Sequence, residues 1–162
     1  MRVRDIVFVS LLGTLFVPAC SKKPDDKTVQ SSIVGAWTWN PREQLAADKI
    51  ENDTGIYATP DQQILQFSAT VASDHDRGDF VEYRHVPTNK HMEAAWVVWR
   101  RAPWYVFDAK IQVQGKLETD FVVLRIGANA LRVKGLGFDC KEGCVLRPLK
   151  EIPAAARNGR PF

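Results

Sequence analysis

The densest cluster of potential metal ligands is one run of six residues, Asp74-His75-Asp76-Arg77-Gly78-Asp79. Its alternating acids partly match the start of a calcium-binding loop, in which carboxylates are spaced two residues apart. Such a loop ends in a bidentate glutamate, but Arg84 and His85 stand in the corresponding region. We therefore expect a polar hairpin loop here and no metal site.

The remaining residues offer little catalytic chemistry. His85 and His91 flank a turn and could face each other across a hairpin, but a zinc site needs a third protein ligand. The sequence has no G-x-S-x-G elbow, no glycine-rich phosphate loop and no outstanding carboxylate pair. We expect a protein without enzymatic activity, bound metal or cofactor.

The first of the three cysteines, Cys20, lies at the end of an N-terminal segment that has the pattern of a targeting signal. Arg2 and Arg4 precede a twelve-residue apolar run at positions 6–17, which is the length of a signal-peptide core and short for a membrane span. The following Val17-Pro18-Ala19-Cys20 resembles the bacterial lipobox, in which the chain is cut before the cysteine and the cysteine is lipidated. The alternatives are an ordinary secretory signal with a chance cysteine, or a buried helix.

The lipobox resemblance implies a domain plan and a location. Residues 1–19 would be a signal peptide, and residues 20–32 would be the lipidated Cys20 with a flexible tether. Because Ser21 is not an aspartate, the resemblance implies an outer-membrane lipoprotein that faces the periplasm, held to the membrane by acyl chains such as palmitate. The β-barrel domain would span residues 33–153, and residues 154–162 would form a disordered tail.

Assigning Cys20 to the lipid leaves an even pair, Cys140 and Cys144. Because envelope compartments are oxidising, the pair is predicted to form a disulfide across a short turn that contains Gly143. The alternative is a redox or copper site of the C-x₃-C type. The sequence shows no helix signal after Cys144 and no neighbouring histidine or methionine, which favours the disulfide.

Charge excludes one class of partner. The chain carries 22 Lys and Arg against 19 Asp and Glu, a net charge of +3 without clustering on one segment. Nucleic-acid-binding proteins concentrate basic residues on one face. We therefore expect no nucleic-acid partner.

Periodicity predicts a chain made mostly of strands. Residues 33–39 are β-branched and aromatic, and several later segments alternate with period two. One helix is indicated after the first strand, because Asn40 can cap it, Pro41 suits its first turn and Glu43 can complete a capping box. Seven or eight strands with one short helix predict a single all-β antiparallel sandwich or barrel.

The aromatic segment offers a candidate ligand site. Strict alternation over residues 104–113 predicts one long strand with five residues on its inner face: Tyr105, Phe107, Ala109, Ile111 and Val113. With Trp96 and Trp99 nearby, this face could be either ordinary core or the wall of an apolar cavity. The small Ala109 at its centre favours some empty space.

Three short motifs resemble those of lipocalins. Gly35-Ala36-Trp37 resembles their G-x-W, Thr119-Asp120-Phe121 is similar to their T-D-Y, and Arg147 is similar to the arginine of their third motif. The resemblance implies a closed barrel in which Gly35, Trp37 and Arg147 have structural roles, with Arg147 stacked over Trp37 at one end. It also implies a site for a small ligand inside the barrel, with the helix after the first strand over its mouth.

Two functions remain open at this stage. The first is a lipid-anchored periplasmic binder of a small apolar ligand of the fatty-acid or lysolipid type. The alternative is a protein-interaction lipoprotein, such as an inhibitor, immunity factor or envelope-assembly factor, with a filled barrel. A hollow barrel favours the first and a filled barrel favours the second.

Overall fold

The structure is a computed structural model that describes residues 25–48, 60–69, 78–88, 93–114, 119–127, 129–135, 138 and 140–161. The predicted signal peptide, the lipidated Cys20, most of the polar loop (residues 74–77) and His91 lie outside the described residues. No helix within those ranges has the length and apolar character needed to cross a membrane.

The protein is a closed antiparallel barrel of eight strands, as the sequence predicts. Each strand pairs with the next, and β8 returns to pair with β1, so the barrel is an up-and-down meander. The strands are β1 (Gly35–Trp39), β2 (Gln62–Ser68), β3 (Gly78–Val86), β4 (Ala95–Phe107), β5 (Lys110–Val113), β6 (Thr119–Gly127), β7 (Ala130–Gly135) and β8 (Cys144–Leu149). Closure leaves no long unpaired edge among the eight strands.

Two helices lie at the two ends of β1. Helix α1 (Asp26–Ile33) precedes the strand, and α2 (Pro41–Ala47) follows it. Helix α2 begins as predicted, because the Asn40 side chain accepts the Glu43 N–H at 3.0 Å and proline occupies the first turn. We call the two ends of the barrel the α1 end and the α2 end.

Helix α1 occupies part of the segment for which the sequence predicts a flexible tether. The Asp25 side chain caps it by accepting the Thr28 N–H at 2.9 Å. Hydrogen bonding to Thr28 also holds the pKa of Asp25 below its usual value. Val29 and Ile33, one helical turn apart, are buried in the barrel core, so apolar burial holds this polar segment in place.

The predicted strand over residues 104–113 is wrong in one respect, because it is a hairpin. Asp108 and Ala109 form a two-residue turn with φ of 52° and 55°, as in turns that match the strand twist. Phe107 pairs with Lys110 across this turn, so inward-facing positions change from even to odd numbers. Trp104, Ile111 and Val113 consequently face the core, whereas Phe107 is 65% exposed.

The C-terminal segment is ordered structure where the sequence predicts a disordered tail. Helix α3 (Ala154–Arg157) is followed by a two-residue strand, β9 (Arg160–Pro161), which pairs parallel to β4. Ile152 and Ala156 are buried on the outer face of the barrel against Ile64 and Tyr83. Part of the outer surface of β2 and β3 is therefore covered by residues 152–156.

Candidate functional site

The apolar half of the barrel interior, towards the α1 end, is filled by side chains. Phe67 lies at the centre of an aromatic cluster, with ring centroids 5.0 Å from Phe80, 5.2 Å from Trp104 and 6.2 Å from Phe121. The Trp104 indole also donates a hydrogen bond to the Ser68 carbonyl at 3.1 Å. Such spacing is ordinary aromatic core packing. Within the described residues, this half is occupied by the protein itself.

The predicted cavity wall does not form one face. Ala109, Ile111 and Val113 are buried in the core, but Tyr105 and Phe107 lie on the outside of β4 because of the two-residue turn. Trp96 packs into the outer cluster under α3, so it is not an interior residue. Trp99 stacks with Arg84, whose guanidinium carbon lies 4.1 Å from the ring centroid.

The predicted stacking of Arg147 on Trp37 is also wrong. Trp37 is buried, and its indole donates to the Ile33 carbonyl at 2.7 Å, which ties α1 to β1. Arg147 pairs along the backbone with Thr38, the neighbour of Trp37, so it lies on the opposite face of the sheet and is exposed. Gly35 does adopt an unusual conformation, with φ of 131°, at the junction between α1 and β1.

The interior becomes polar on the wall formed by β2, β3 and β4. The Glu82 carboxylate is almost completely buried and accepts hydrogen bonds from Gln63 at 2.6 Å, Arg100 at 3.1 Å and Arg84. The Trp39 indole donates to the Gln63 side chain at 2.8 Å and extends the network. We call these five side chains the Glu82 network.

The Glu82 network carries a net positive charge. It contains one carboxylate and two guanidinium groups, and each arginine side chain is about a quarter exposed, at 25% and 23%. Buried charges are retained when they are paired and hydrogen-bonded, as here. The sequence analysis assigned none of these five residues to a buried polar network. The available signal was that Glu82 and Arg84 share their face of β3 with the apolar Phe80 and Val86.

A second feature, on the outside of the α2 end, is the loop between the two paired cysteines. Cys140 and Cys144 form the predicted disulfide, with their Cα atoms 5.1 Å apart. Gly143 has φ of 83° and would place a Cβ 2.8 Å from Leu124, so the turn requires glycine. We call residues 140–144 the clamped loop.

Helix α2 holds the clamped loop through one glutamine. The Gln44 side chain donates to the Val145 carbonyl at 2.9 Å and accepts the Val145 N–H at 3.0 Å, as a neighbouring β-strand would. The Lys141 N–H donates to Asp48 at 2.8 Å, and Arg132 donates to the Glu142 carbonyl at 2.8 Å. The loop is thus fixed by side chains from both sides. Gln44 carries no signal in sequence, because its partners lie about a hundred residues away.

An open groove of about 820 Å³ lies between α2, the clamped loop and the adjoining strands. His85 lies in its lining, and its charged lining residues are four acids and two arginines: Glu43, Asp48, Asp61, Glu142, Arg132 and Arg147. The formal sum of these six side chains is −2, and because Asp61 is paired with Arg42 beside the groove at 2.9 Å, the remaining excess is −1. Over the described ranges, no group of three or more metal-ligating side chains occurs.

Comparison with known proteins identifies no relative. No protein-family model, no curated protein and no solved structure matches this chain.

Proposed function

We propose that this protein is a lipid-anchored envelope protein that binds another protein through the clamped loop and the adjoining groove. The observation that carries this proposal is the contrast between inside and outside. The described apolar interior is packed with aromatic side chains, whereas the large concavity lies on the outer surface beside a loop held in one conformation.

The rigidity of the clamped loop supports a binding role. Association is less costly when the contacting loop is already ordered, since less conformational entropy is lost. The disulfide, Gln44, Asp48 and Arg132 each restrict this loop, while Lys141 and Glu142 at its tip remain exposed. That arrangement suits a loop presented to a partner, in the manner of an inhibitor or an assembly factor.

The lining of the groove favours a protein partner over a small apolar ligand. Small-molecule pockets are mostly apolar with a few polar groups, whereas this groove is rich in charge. Its excess of acidic residues favours a partner with a basic segment, because complementary charge speeds association and selects partners. We propose a basic periplasmic or outer-membrane protein as that partner.

A photo-crosslinking experiment tests this function. A photoreactive residue placed at Glu142 or Arg147 should capture the same partner in intact cells, while a matched probe at Ala155 on α3, outside the groove, should not. Reversing one groove charge with Arg147→Glu should change the yield of the crosslinked partner at the Glu142 probe. The proposal would be contradicted if all three probes gave the same crosslinked products, or if the two groove probes gave none.

A second candidate function is a carrier of a small acidic amphipathic ligand. The observation that favours it is the net positive Glu82 network, whose arginines are the groups that would meet an acidic head group. A fluorescent fatty-acid analogue provides the test. Stoichiometric binding that Arg100→Gln abolishes would support the carrier, and an absence of binding would leave the protein-binding proposal alone.

The anchor itself is tested at Cys20. We expect Cys20→Ala to move the protein from the membrane fraction to the soluble fraction, because the acyl chains provide the attachment. Cys140→Ser combined with Cys144→Ser is the matched control and should leave the protein on the membrane. A wild-type protein whose Cys20 is unmodified in intact-mass analysis would contradict the anchor.

A further inference from the structure

The α1 end of the barrel exposes apolar side chains. Among the described residues, three large apolar side chains are strongly exposed: Phe107 at 65%, Leu124 at 48% and Val34 at 42%. Phe107 lies beside the β4–β5 turn and Val34 ends α1, so two of the three belong to this end. Leu124 lies near the clamped loop, because a Cβ added at Gly143 would come within 2.8 Å of it.

Phe107 is held in place by its neighbours. The next two residues, Asp108 and Ala109, have positive φ, and both of their amides donate to the Asp26 carboxylate in the first turn of α1. Ala109 is buried against the core. A left-handed conformation is costly for alanine, so this turn depends on the Asp26 contact. The exposed phenyl ring is thereby fixed to the start of α1.

The start of α1 is close to Cys20 along the chain. Five residue steps separate Cys20 from the Asp25 cap, so these residues can be at most about 18 Å apart. An acyl-modified Cys20 would sit at the bilayer surface. The exposed Phe107 would then lie at the end of the barrel nearest the membrane.

We infer that the β4–β5 tip, centred on Phe107, rests in the interfacial region of the bilayer and orients the barrel on it. This inference relies on the lipid anchor of the proposed function. Aromatic side chains are favoured at the membrane interface, and stable attachment commonly uses a second contact besides the acyl chains. Tyr105, half-buried on the same outer face of β4, extends the contact.

The contact is apolar in character. The charged side chains of the α1 cap, α1 and the β4–β5 turn sum to −1, because Lys27 and Lys110 stand against Asp25, Asp108 and the Asp26 carboxylate that accepts from the two turn amides, so charge does not favour anionic lipids here. Attraction to anionic lipids would weaken with salt, whereas burial of a phenyl ring does not. The contact should therefore persist at high ionic strength.

The orientation has a consequence for the groove. β1 runs from α1 to α2, so the clamped loop and its groove lie at the end of the barrel remote from the tip. With the tip on the bilayer, the groove faces the aqueous space, where a soluble partner can reach it.

A fluorescent probe at Phe107 tests the inference on the lipidated full-length protein. Phe107→Cys is labelled with an environment-sensitive dye, and Arg42→Cys, an exposed site on α2 at the other end of the barrel, is the matched control. The labelled proteins are reconstituted into vesicles of phosphatidylethanolamine and phosphatidylglycerol. We expect a blue-shifted emission at position 107 that lipid-borne nitroxide quenches, at low and at high salt, and water-like emission at position 42.

Three outcomes would overturn the inference in distinguishable ways. Water-like emission at position 107 in protein that floats with the vesicles refutes the tip contact and leaves the anchor intact. A blue shift that is already present without vesicles indicates contact between copies of the protein instead. Failure of the protein to float refutes the anchor, and the inference falls with it.

Discussion

The Glu82 network gives the sharpest test of the interior. The perturbation is Glu82→Ala, which removes both carboxylate oxygens that accept from Gln63, Arg84 and Arg100. Two guanidinium groups, each about three-quarters buried, then lose the Glu82 carboxylate as their partner. Removing one partner of a buried ion pair typically costs about 3–5 kcal/mol of unfolding free energy.

That loss corresponds to a large shift in melting temperature. For a chain of this size, about 2–4 °C is lost per kcal/mol, so Glu82→Ala should lower Tm by roughly 6–20 °C. The assay is denaturant unfolding followed by tryptophan fluorescence, with circular dichroism for the thermal transition. Glu151→Ala is the matched control, because Glu151 is 79% exposed and its pair with Arg157 should contribute less than about 1 kcal/mol.

A second variant separates lost pairing from lost packing. Glu82→Leu combined with Arg84→Met and Arg100→Met replaces all three charged groups by apolar ones of similar size, and such replacements often recover stability. We expect this triple variant to be more stable than Glu82→Ala. If Glu82→Ala costs no more than the Glu151 control, the carboxylate is not a buried counter-charge and the reasoning about the interior is wrong.

Three other changes probe the supports of the barrel. Gly78→Ala would place its Cβ 2.0 Å from the Trp104 ring nitrogen, so we expect a loss of about 1–3 kcal/mol in denaturant unfolding, whereas Gly127→Ala, with 3.4 Å to its nearest neighbour, should change little. Asp26→Ala should accelerate hydrogen exchange at the two turn amides that its carboxylate binds, and unchanged exchange would contradict the tie between α1 and the hairpin. The lowered pKa of Asp25 means that its capping contribution is complete above the unfolded-state pKa and is lost as pH falls through the folded-state pKa. Asp25→Ser keeps a capping oxygen without titrating, so unfolding measured at acid pH should give a flatter pH dependence than wild type, and parallel curves would refute this assignment.

The barrel and the disulfide were predictable because their signals are local. Strands alternate in hydropathy over a few residues, and Asn40 with Pro41 marks the start of α2 within three positions. The cysteine count left one short-range pair to form. Each of these features depends on residues close in sequence, which a single chain displays directly.

The hairpin at Asp108 and Ala109 was not predictable in the same way. Two-residue turns with positive φ are usually recognised in sequence by glycine or asparagine. Here an aspartate and an alanine occupy the two positions. Their conformation is supported by Asp26, more than eighty residues earlier. The sequence therefore predicted correctly that Ile111 and Val113 face the core. It predicted the wrong side of the sheet for Tyr105 and Phe107, which lie on the outer face.

The site on the outside was missed for a related reason. Gln44 looks like any polar residue on a short helix, and its role as a strand-like partner of Val145 exists only after the barrel closes. Helix α1 was missed because only Val29 and Ile33 are apolar within a polar segment. Contacts across long sequence separations determine both features.

The covering of the outer barrel by the C-terminal segment sets an order for the maturation of the protein. Synthesis proceeds from the N-terminus, so all eight barrel strands exist before Ile152 and Ala156 arrive to cover Ile64 and Tyr83. Until then the newly made barrel carries an uncovered apolar patch, which is the kind of surface that molecular chaperones bind and that nucleates aggregation. Residues that follow the last barrel strand therefore complete the outer surface of the barrel. A chain truncated after Leu149 would keep its eight barrel strands and yet remain a target for quality control.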